Sequence, residues 1–326
     1  DNIVATCFAD PFDIGGDELR IAVRAGIAIY PQDGSDAEAL FRSTEGSLAQ
    51  AKALGEKYQL FNLEAGASVY ESLRLETNLR KAIEKDELVL HYQPKVEIGT
   101  RRITGVEALM RWQSPDFGLV PPAKFIPLME ETGLIVEAGI WALSQATGDA
   151  RRFAEAGLSI AHMSVNVSAV QLRQSDFVDT VVRAVGADPA SLGLDLEITE
   201  SALMQDIDVI ALKLRKVKDL GFTLSIDDFG TGYSSLGYLA KLPVQWLKID
   251  RSFVHAMLED GTGPTLVRAM VGLAHSLGLK VVAEGVESEV QAELLQQVGC
   301  DEMQGYLVSK PLPYDEFLAF ARVARV

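Results

Sequence analysis

Two periodicities alternate along this chain. Short runs rich in valine, isoleucine and leucine give way to longer stretches with apolar residues three and four positions apart. The short runs predict strands at Leu88–Val96, Ile103–Arg111, Met163–Val167, Leu194–Ile198, Phe222–Ile226, Trp246–Ile249, Lys280–Ala283 and Glu302–Tyr306. The longer stretches predict helices between most of them, among them Phe177–Val185, Ile207–Leu220, Thr265–Leu277 and Ser288–Val298. Gly221, Gly278 and Gly299 each stand where a helix gives way to a strand, the place that favours a left-handed residue. Strands and helices alternating over residues 86–326 predict an α/β fold, a (β/α)8 TIM-like barrel. Glu97–Arg102 is too short for a crossover helix, so the first strand pair is expected to run antiparallel.

The N-terminal part carries less. Glu18–Tyr30 has the β-branched character of one or two strands, and Pro31–Gly34 is turn chemistry. Ser35-Asp36 can cap a helix running through Ala53 to Gly55, with Leu40, Leu48 and Leu54 on its apolar side. Two strands and one helix bury too little to make a comfortable independent domain. The expected division is a small α/β fragment over residues 1–63, a linking helix over 64–85 and the barrel over 86–326.

Composition narrows the partners. The chain has 326 residues, 48% hydrophobic and 23% charged, as a packed globular protein does. Its 30 basic and 46 acidic side chains give a net charge of −16, which disfavours a broad basic surface for duplex nucleic acid or anionic membrane. A small anionic ligand stays open, because bound metal ions invert the sign of a local site. Cys7 and Cys300 form no CxxC pair, so a reduced, cytoplasmic setting is expected. No apolar run reaches the length of a bilayer crossing; Leu266–Val282 is broken by Arg268, His275 and Lys280. The chain opens at Asp1 with no methionine and no charged-then-apolar leader, so its start reads as a processing boundary, and an upstream sensor, membrane anchor or further domain stays open.

In such a barrel, function gathers at the C-terminal ends of the strands. Read in order, those ends offer Glu107, Asn166, Glu197, Asp227 with Asp228, Lys248 with Asp250, Glu284 and Gln304. Carboxylates converging on one mouth would repel each other and resist desolvation, and hard divalent cations resolve both costs. In Ser164-Val-Asn-Val-Ser168, Asn166 shares a face with both serines; in Leu247-Lys-Ile-Asp250, Lys248 and Asp250 share one. Asp227 and Asp228 are adjacent, so both reach one metal site only if the strand ends there, with Phe229-Gly-Thr-Gly232 as the turn.

Taken together and in order, Glu107-Ala-Leu-Met-Arg111, Asn166-Val-Ser168, Glu197-Ile-Thr-Glu200, Asp227-Asp-Phe-Gly-Thr-Gly-Tyr-Ser-Ser-Leu236, Leu247-Lys-Ile-Asp250, Glu284-Gly-Val-Glu287 and Gln304-Gly-Tyr-Leu-Val-Ser-Lys-Pro311 resemble the EAL-domain family. Those bacterial phosphodiesterases open cyclic di-GMP (c-di-GMP) to linear pGpG with Mg²⁺ or Mn²⁺. The resemblance spans Leu73 to Ala324 and implies roles position by position. Glu107, Asn166, Glu197 and Asp227 would hold one metal, and Asp227 would bridge to a second held by Asp228. Glu284 would sit at the second metal or its water and assist as base. Lys248 would orient the attacking water or meet the scissile phosphate. Arg111 matches the family's phosphate-contacting arginine, while Gln93, Leu109 and Asp250 match ligand-side positions. Gln304 would be a water or ligand contact, Glu200 would tie down the loop Phe229–Leu236, and Glu287 would support the same end of the barrel. The resemblance further implies a homodimer formed near the Asp228–Leu236 loop.

The N-terminal part is similar to the C-terminal third of a GGDEF, or diguanylate cyclase, domain through Ala25–Gly34 and Ala49–Gly55. Gly15-Gly-Asp-Glu-Leu19 imitates that family's name-giving motif but lies too close to the Gly26-Ile-Ala strand, so no cyclase site is expected. His91, His162, His255 and His275 have no zinc-ligand spacing, and Gly230-Thr-Gly232 and Gly261-Thr-Gly263 lack the Gly-Lys-Ser/Thr of a P-loop. Met110, Met129 and Met204 read as packing residues. Two other functions compete: a non-catalytic c-di-GMP receptor, and an acid-rich barrel of unrelated chemistry such as Mg²⁺-assisted enolisation.

Overall fold

The computed structural model describes residues 12–14, 17–19, 23–53, 55–61, 74–158, 160–186, 192–204, 207–231, 239–258 and 263–324. Its contacts divide the chain into two compact units, Asp1–Lys81 and Ala82–Val326.

In the first unit, β1 (Phe12–Ile14) and β2 (Asp17–Leu19) pair antiparallel, Ile14 opposite Asp17. Strand β3 (Ala25–Ile27) pairs parallel with β4 (Tyr58–Leu60), and α1 (Ala37–Ala53) crosses between them. Asp36 Oδ1 accepts from Ala39 N at 2.8 Å, so the expected cap closes the helix start. Gly26 has no room for a side chain, since a Cβ there would stand 2.1 Å from Thr44 O. Gly15, Gly16, Leu54 and Cys7 lie outside the described residues, as does the 64–73 part of the expected linking helix; residues 74–82 are helical and make up α2.

The second unit is a closed eight-stranded barrel. Around it run β5 (Leu88–Glu97), β6 (Ile103–Ser114), β8 (His162–Val167), β9 (Leu194–Thr199), β10 (Thr223–Phe229), β11 (Trp246–Ile249), β12 (Lys280–Ala283) and β13 (Glu302–Gln304). Strand β5 is antiparallel to both neighbours, β6 and β13, and closes the ring; the other neighbours are parallel. A short β7 (Gly118–Val120) folds back on the end of β6, which the hydrophobic pattern alone ends too early. Strand β13 stops at Gln304 rather than Tyr306 because the chain turns tightly at Gly305, where a Cβ would stand 2.1 Å from Val286 O.

The barrel helices cover the outside: α3 (Pro122–Thr132), α4 (Ile135–Glu155), α5 (Ala169–Arg173), α6 (Phe177–Val185), α7 (Glu200–Leu203), α8 (Ile207–Asp219), α9 (Arg251–Ala256), α10 (Gly263–Ser276), α11 (Glu289–Val298) and α12 (Tyr314–Val323). Gly221, Gly278 and Gly299 do adopt positive φ behind their helices. The apolar core lies between strands and helices, with Val165, Leu196, Ile198, Leu224, Ile226, Leu247 and Val281 almost fully buried. The alternate residues of the same strands face the barrel axis, and many of them are polar. Among the described residues, no helix is long and apolar enough to cross a membrane.

Candidate metal centre

Strand alternation aims Glu107, Glu197, Asp227 and Lys248 at the axis, and all four are buried. Asn166 and the partly buried Glu284 complete the ring where it opens. Lys248 is its hub. Its Nζ lies 2.5 Å from Glu197 Oε2, 2.7 Å from Glu284 Oε1, 3.1 Å from Asp227 Oδ1 and 3.6 Å from Glu107 Oε2. Glu107 is fixed further by Asn166 Nδ2, 2.7 Å from Oε1, and by Gln304 Nε2, 2.7 Å from Oε2. Gln304 Nε2 also donates to Gln93 Oε1 at 2.9 Å, and Gln93 Nε2 donates to Ser309 O.

The adjacent aspartates converge by a different device from the expected strand end. Strand β10 continues to Phe229, but its register on β11 slips: Ile226 faces Leu247 and Phe229 faces Ile249. Three steps on β10 match two on β11, so β10 carries a bulge. Asp228 takes up the extra residue at φ 53°, a left-handed conformation that aspartate tolerates better than most side chains. The consequence is a carboxylate cluster in which Asp227, Asp228 and Glu284 each offer an oxygen, all within 4.8 Å of one another.

Electrostatics leave this site with more buried carboxylates than its own lysines offset. Burial pushes the Glu107, Asp227 and Glu284 carboxyls above the usual range, and their mutual repulsion adds to it despite Lys248. Burial and the neighbouring Asp250 raise Asp228 as well. Glu197 goes the other way: burial would raise it, but Lys248 and Lys95 hold it down to about 2. Burial alone would discharge Lys248, yet the surrounding carboxylates keep it protonated well above the ordinary range. Gln304 Oε1 is buried with no donor among the described residues. Oxygen donors in excess of their cations, on a preformed ring, are what a hard divalent ion requires.

The remaining expected residues are placed around this ring. Leu109 and Arg111 follow Glu107 at alternate positions on β6, both partly buried; Arg111 Nη1 donates to Met110 O. Asp250 uses Oδ1 to cap α9, accepting from Ser252 N at 3.0 Å. Glu200 is buried and accepts from Gly230 N at 2.9 Å, which ties the start of the loop after β10; residues 232–236 of that loop lie outside the described ones. The Glu287 carboxylate is more than half exposed, 3.9 Å from His255 Nε2. Sequence reasoning missed Lys95, Asp195 and Ser225, which are buried beneath the ring. Their signal was present: each stands two residues from an expected site residue on the same strand, hence on the same face.

The chain is similar to known proteins over nearly its whole length. A family model described as EAL domain matches residues 76–311. The bifunctional diguanylate cyclase/cyclic di-GMP phosphodiesterase MucR of Pseudomonas aeruginosa is 42% identical over 315 residues, 95% of this chain and 46% of that protein. The cyclic di-GMP phosphodiesterase NbdA of the same organism is 39% identical over 318 residues, 97% of this chain and 41% of that protein. The chain thus spans less than half the length of these curated relatives. Among solved structures, the PaMucR phosphodiesterase in complex with c-di-GMP superposes with TM-score 0.72 at 44% identity, covering 75% of this chain and 99% of that one. The EAL domain of Mycobacterium smegmatis DcpA gives TM-score 0.61 at 35% identity over 74% and 98% of the two chains.

Proposed function

The chain belongs to the EAL-domain family, and from that membership we propose that it hydrolyses cyclic di-GMP to linear pGpG with divalent cations at the barrel mouth. The observation that carries this reading is the convergence of Asp227, Asp228 and Glu284 within 4.8 Å, beside Glu107, Asn166 and Glu197 on one ring.

In this reading Glu107, Asn166, Glu197 and Asp227 would hold one Mg²⁺ or Mn²⁺, and Asp227 with Asp228 a second, with Glu284 at that ion or its water. When bound, the pair would lower the pKa of a water and offset charge on the phosphodiester and its leaving O3′. The protein's own groups supply the rest. Glu284, which opens onto the mouth, would assist as the base that takes the proton of the attacking water. Lys248, an ammonium amid these carboxylates, would steady that water or the charge that develops on the phosphoryl oxygens. Arg111 reaches the phosphate from β6, with Gln93, Leu109 and Asp250 on the ligand side. Gln304 holds Glu107 and Gln93 in one arrangement, and Glu200 with Glu287 supports the loop end of the barrel.

Residues 1–63 we read as the C-terminal part of a cyclase-like domain without a cyclase site. The match to the bifunctional relative over 95% of this chain supports that reading. A homodimer through the 228–236 segment belongs to the same proposal; full activity from a monomer at every concentration would remove it. The direct test is incubation with c-di-GMP and Mg²⁺ or Mn²⁺, with and without chelator, and chromatographic resolution of products. Metal-dependent pGpG is expected. Tight binding without turnover would instead make the chain a c-di-GMP receptor.

A further inference from the structure

Beneath the ring lies a second polar layer that none of the roles above uses. Lys95, Ser164, Asp195 and Ser225 stand two residues deeper than Gln93, Asn166, Glu197 and Asp227 on strands β5, β8, β9 and β10. All four are at most 3% exposed. Lys95 Nζ donates to Ser164 Oγ at 2.6 Å and to Glu197 Oε1 at 2.5 Å. Ser164 Oγ and Ser225 Oγ donate to Asp195 Oδ2 at 3.1 and 2.6 Å. The two oxygens of Glu197 are therefore divided. Oε1 is held from the barrel interior by Lys95, and Oε2 meets Lys248 on the side of Asp227 and Glu284.

We infer that Lys95 is a positioning residue: it clamps Glu197 Oε1 and so commits Glu197 to offer one oxygen, Oε2, to a divalent cation. The inference rests on the metal-centre reading of the ring. A buried ammonium seldom stabilises a fold better than an apolar side chain of its size, and here it carries the same sign as the ions the site is built for. A mere space-filler would serve as well if it were leucine, and a residue that only balanced charge would not need to bond one chosen oxygen of Glu197. A carboxylate free to rotate could also chelate a cation with both oxygens, or close on Lys248 with both. The first would use a coordination position that a small octahedral ion needs for water and phosphate, and the second would leave the ion without an oxygen of Glu197. Ser164 and Ser225, both bonded to Asp195, fix the height at which Lys95 works.

The test is Mn²⁺ titration calorimetry on substrate-free protein, with melting temperature, kcat and KM for c-di-GMP measured in parallel. Lys95→Met is expected to weaken Mn²⁺ binding about 10–100-fold, the range typical of lost partners behind metal ligands. Its kcat should fall while KM stays close to wild type. If Lys95 acted through charge alone, its removal would take a like charge from the site and tighten Mn²⁺ binding. Tighter or unchanged binding by folded Lys95→Met therefore overturns the inference. Should that variant fail to fold, Ser164→Ala decides: it keeps the lysine and its bond to Glu197, removes the hydroxyl that seats its head, and is expected to weaken Mn²⁺ binding by a smaller factor, with unchanged affinity overturning the clamp. Wild-type protein that binds Mn²⁺ but leaves c-di-GMP intact would sink the phosphodiesterase reading alone.

Discussion

Asp228 is a residue whose backbone and side chain serve the same end. Its φ of 53° costs a non-glycine residue about 1–2 kcal/mol. That strain turns its carboxylate toward Asp227 and Glu284 instead of the helix layer. An asparagine at this position would tolerate the same backbone but lack the charge. Asp228→Asn is therefore expected to melt no lower than wild type, having lost a carboxylate that burial and repulsion make costly to ionise, and to lose turnover by about 100-fold or more. Near wild-type hydrolysis by that variant would remove Asp228 from the metal centre. At this scale the ring was legible in sequence, because polar residues at the ends of β-branched runs have no apolar explanation. The layer below it was only partly so. Its two-residue spacing from the ring gives the face of Lys95, but only closure of the barrel puts it 2.5 Å from Glu197.

Elements were legible where local pattern decides them. Strands β11 and β12 and helix α6 fall on their expected bounds, and the short Glu97–Arg102 link does make an antiparallel pair. They were less legible where a neighbouring chain decides. The bulge in β10 exists in relation to β11, and the stop of β13 depends on Val286 crowding Gly305. The bulge is followed at once by Gly230, at φ 97°, with Glu200 accepting from its N–H. A Cβ there would stand 2.7 Å from Phe253 Cε2 and 2.6 Å from Met270 Cε. Gly230→Ala thus combines backbone strain with overpacking, for an expected loss of about 1–3 kcal/mol. Urea unfolding should show a lower midpoint at unchanged slope; a wild-type midpoint would mean that the turn after β10 relaxes freely.

At the scale of the whole molecule, the net charge of −16 is distributed unevenly in its consequences. Most acidic side chains are solvated, whereas Glu107, Asp227, Asp228 and Glu284 are raised by burial and repulsion. In the unfolded chain these carboxyls ionise near the ordinary value of about 4. In the folded chain they hold protons to higher pH. Between the two values the folded state binds more protons, so its stability falls as pH rises. Glu197 has the opposite shift, and its contribution is lost only as pH falls toward about 2, so it is constant above pH ~5. Asp195 is raised too, but it stands behind the ring and contributes alike with or without cations. Divalent cations bound to the ring would remove the cost of ionising the four mouth carboxyls and add their own binding energy. The melting temperature in Mn²⁺ is therefore expected to exceed that in chelator, and the gap to widen as pH rises above the ordinary carboxyl value of about 4. Calorimetry over the same range should show protons released on Mn²⁺ binding, with affinity rising alongside pH. A gap that is absent, or constant with pH, would mean that these four carboxylates are not where the cation binds.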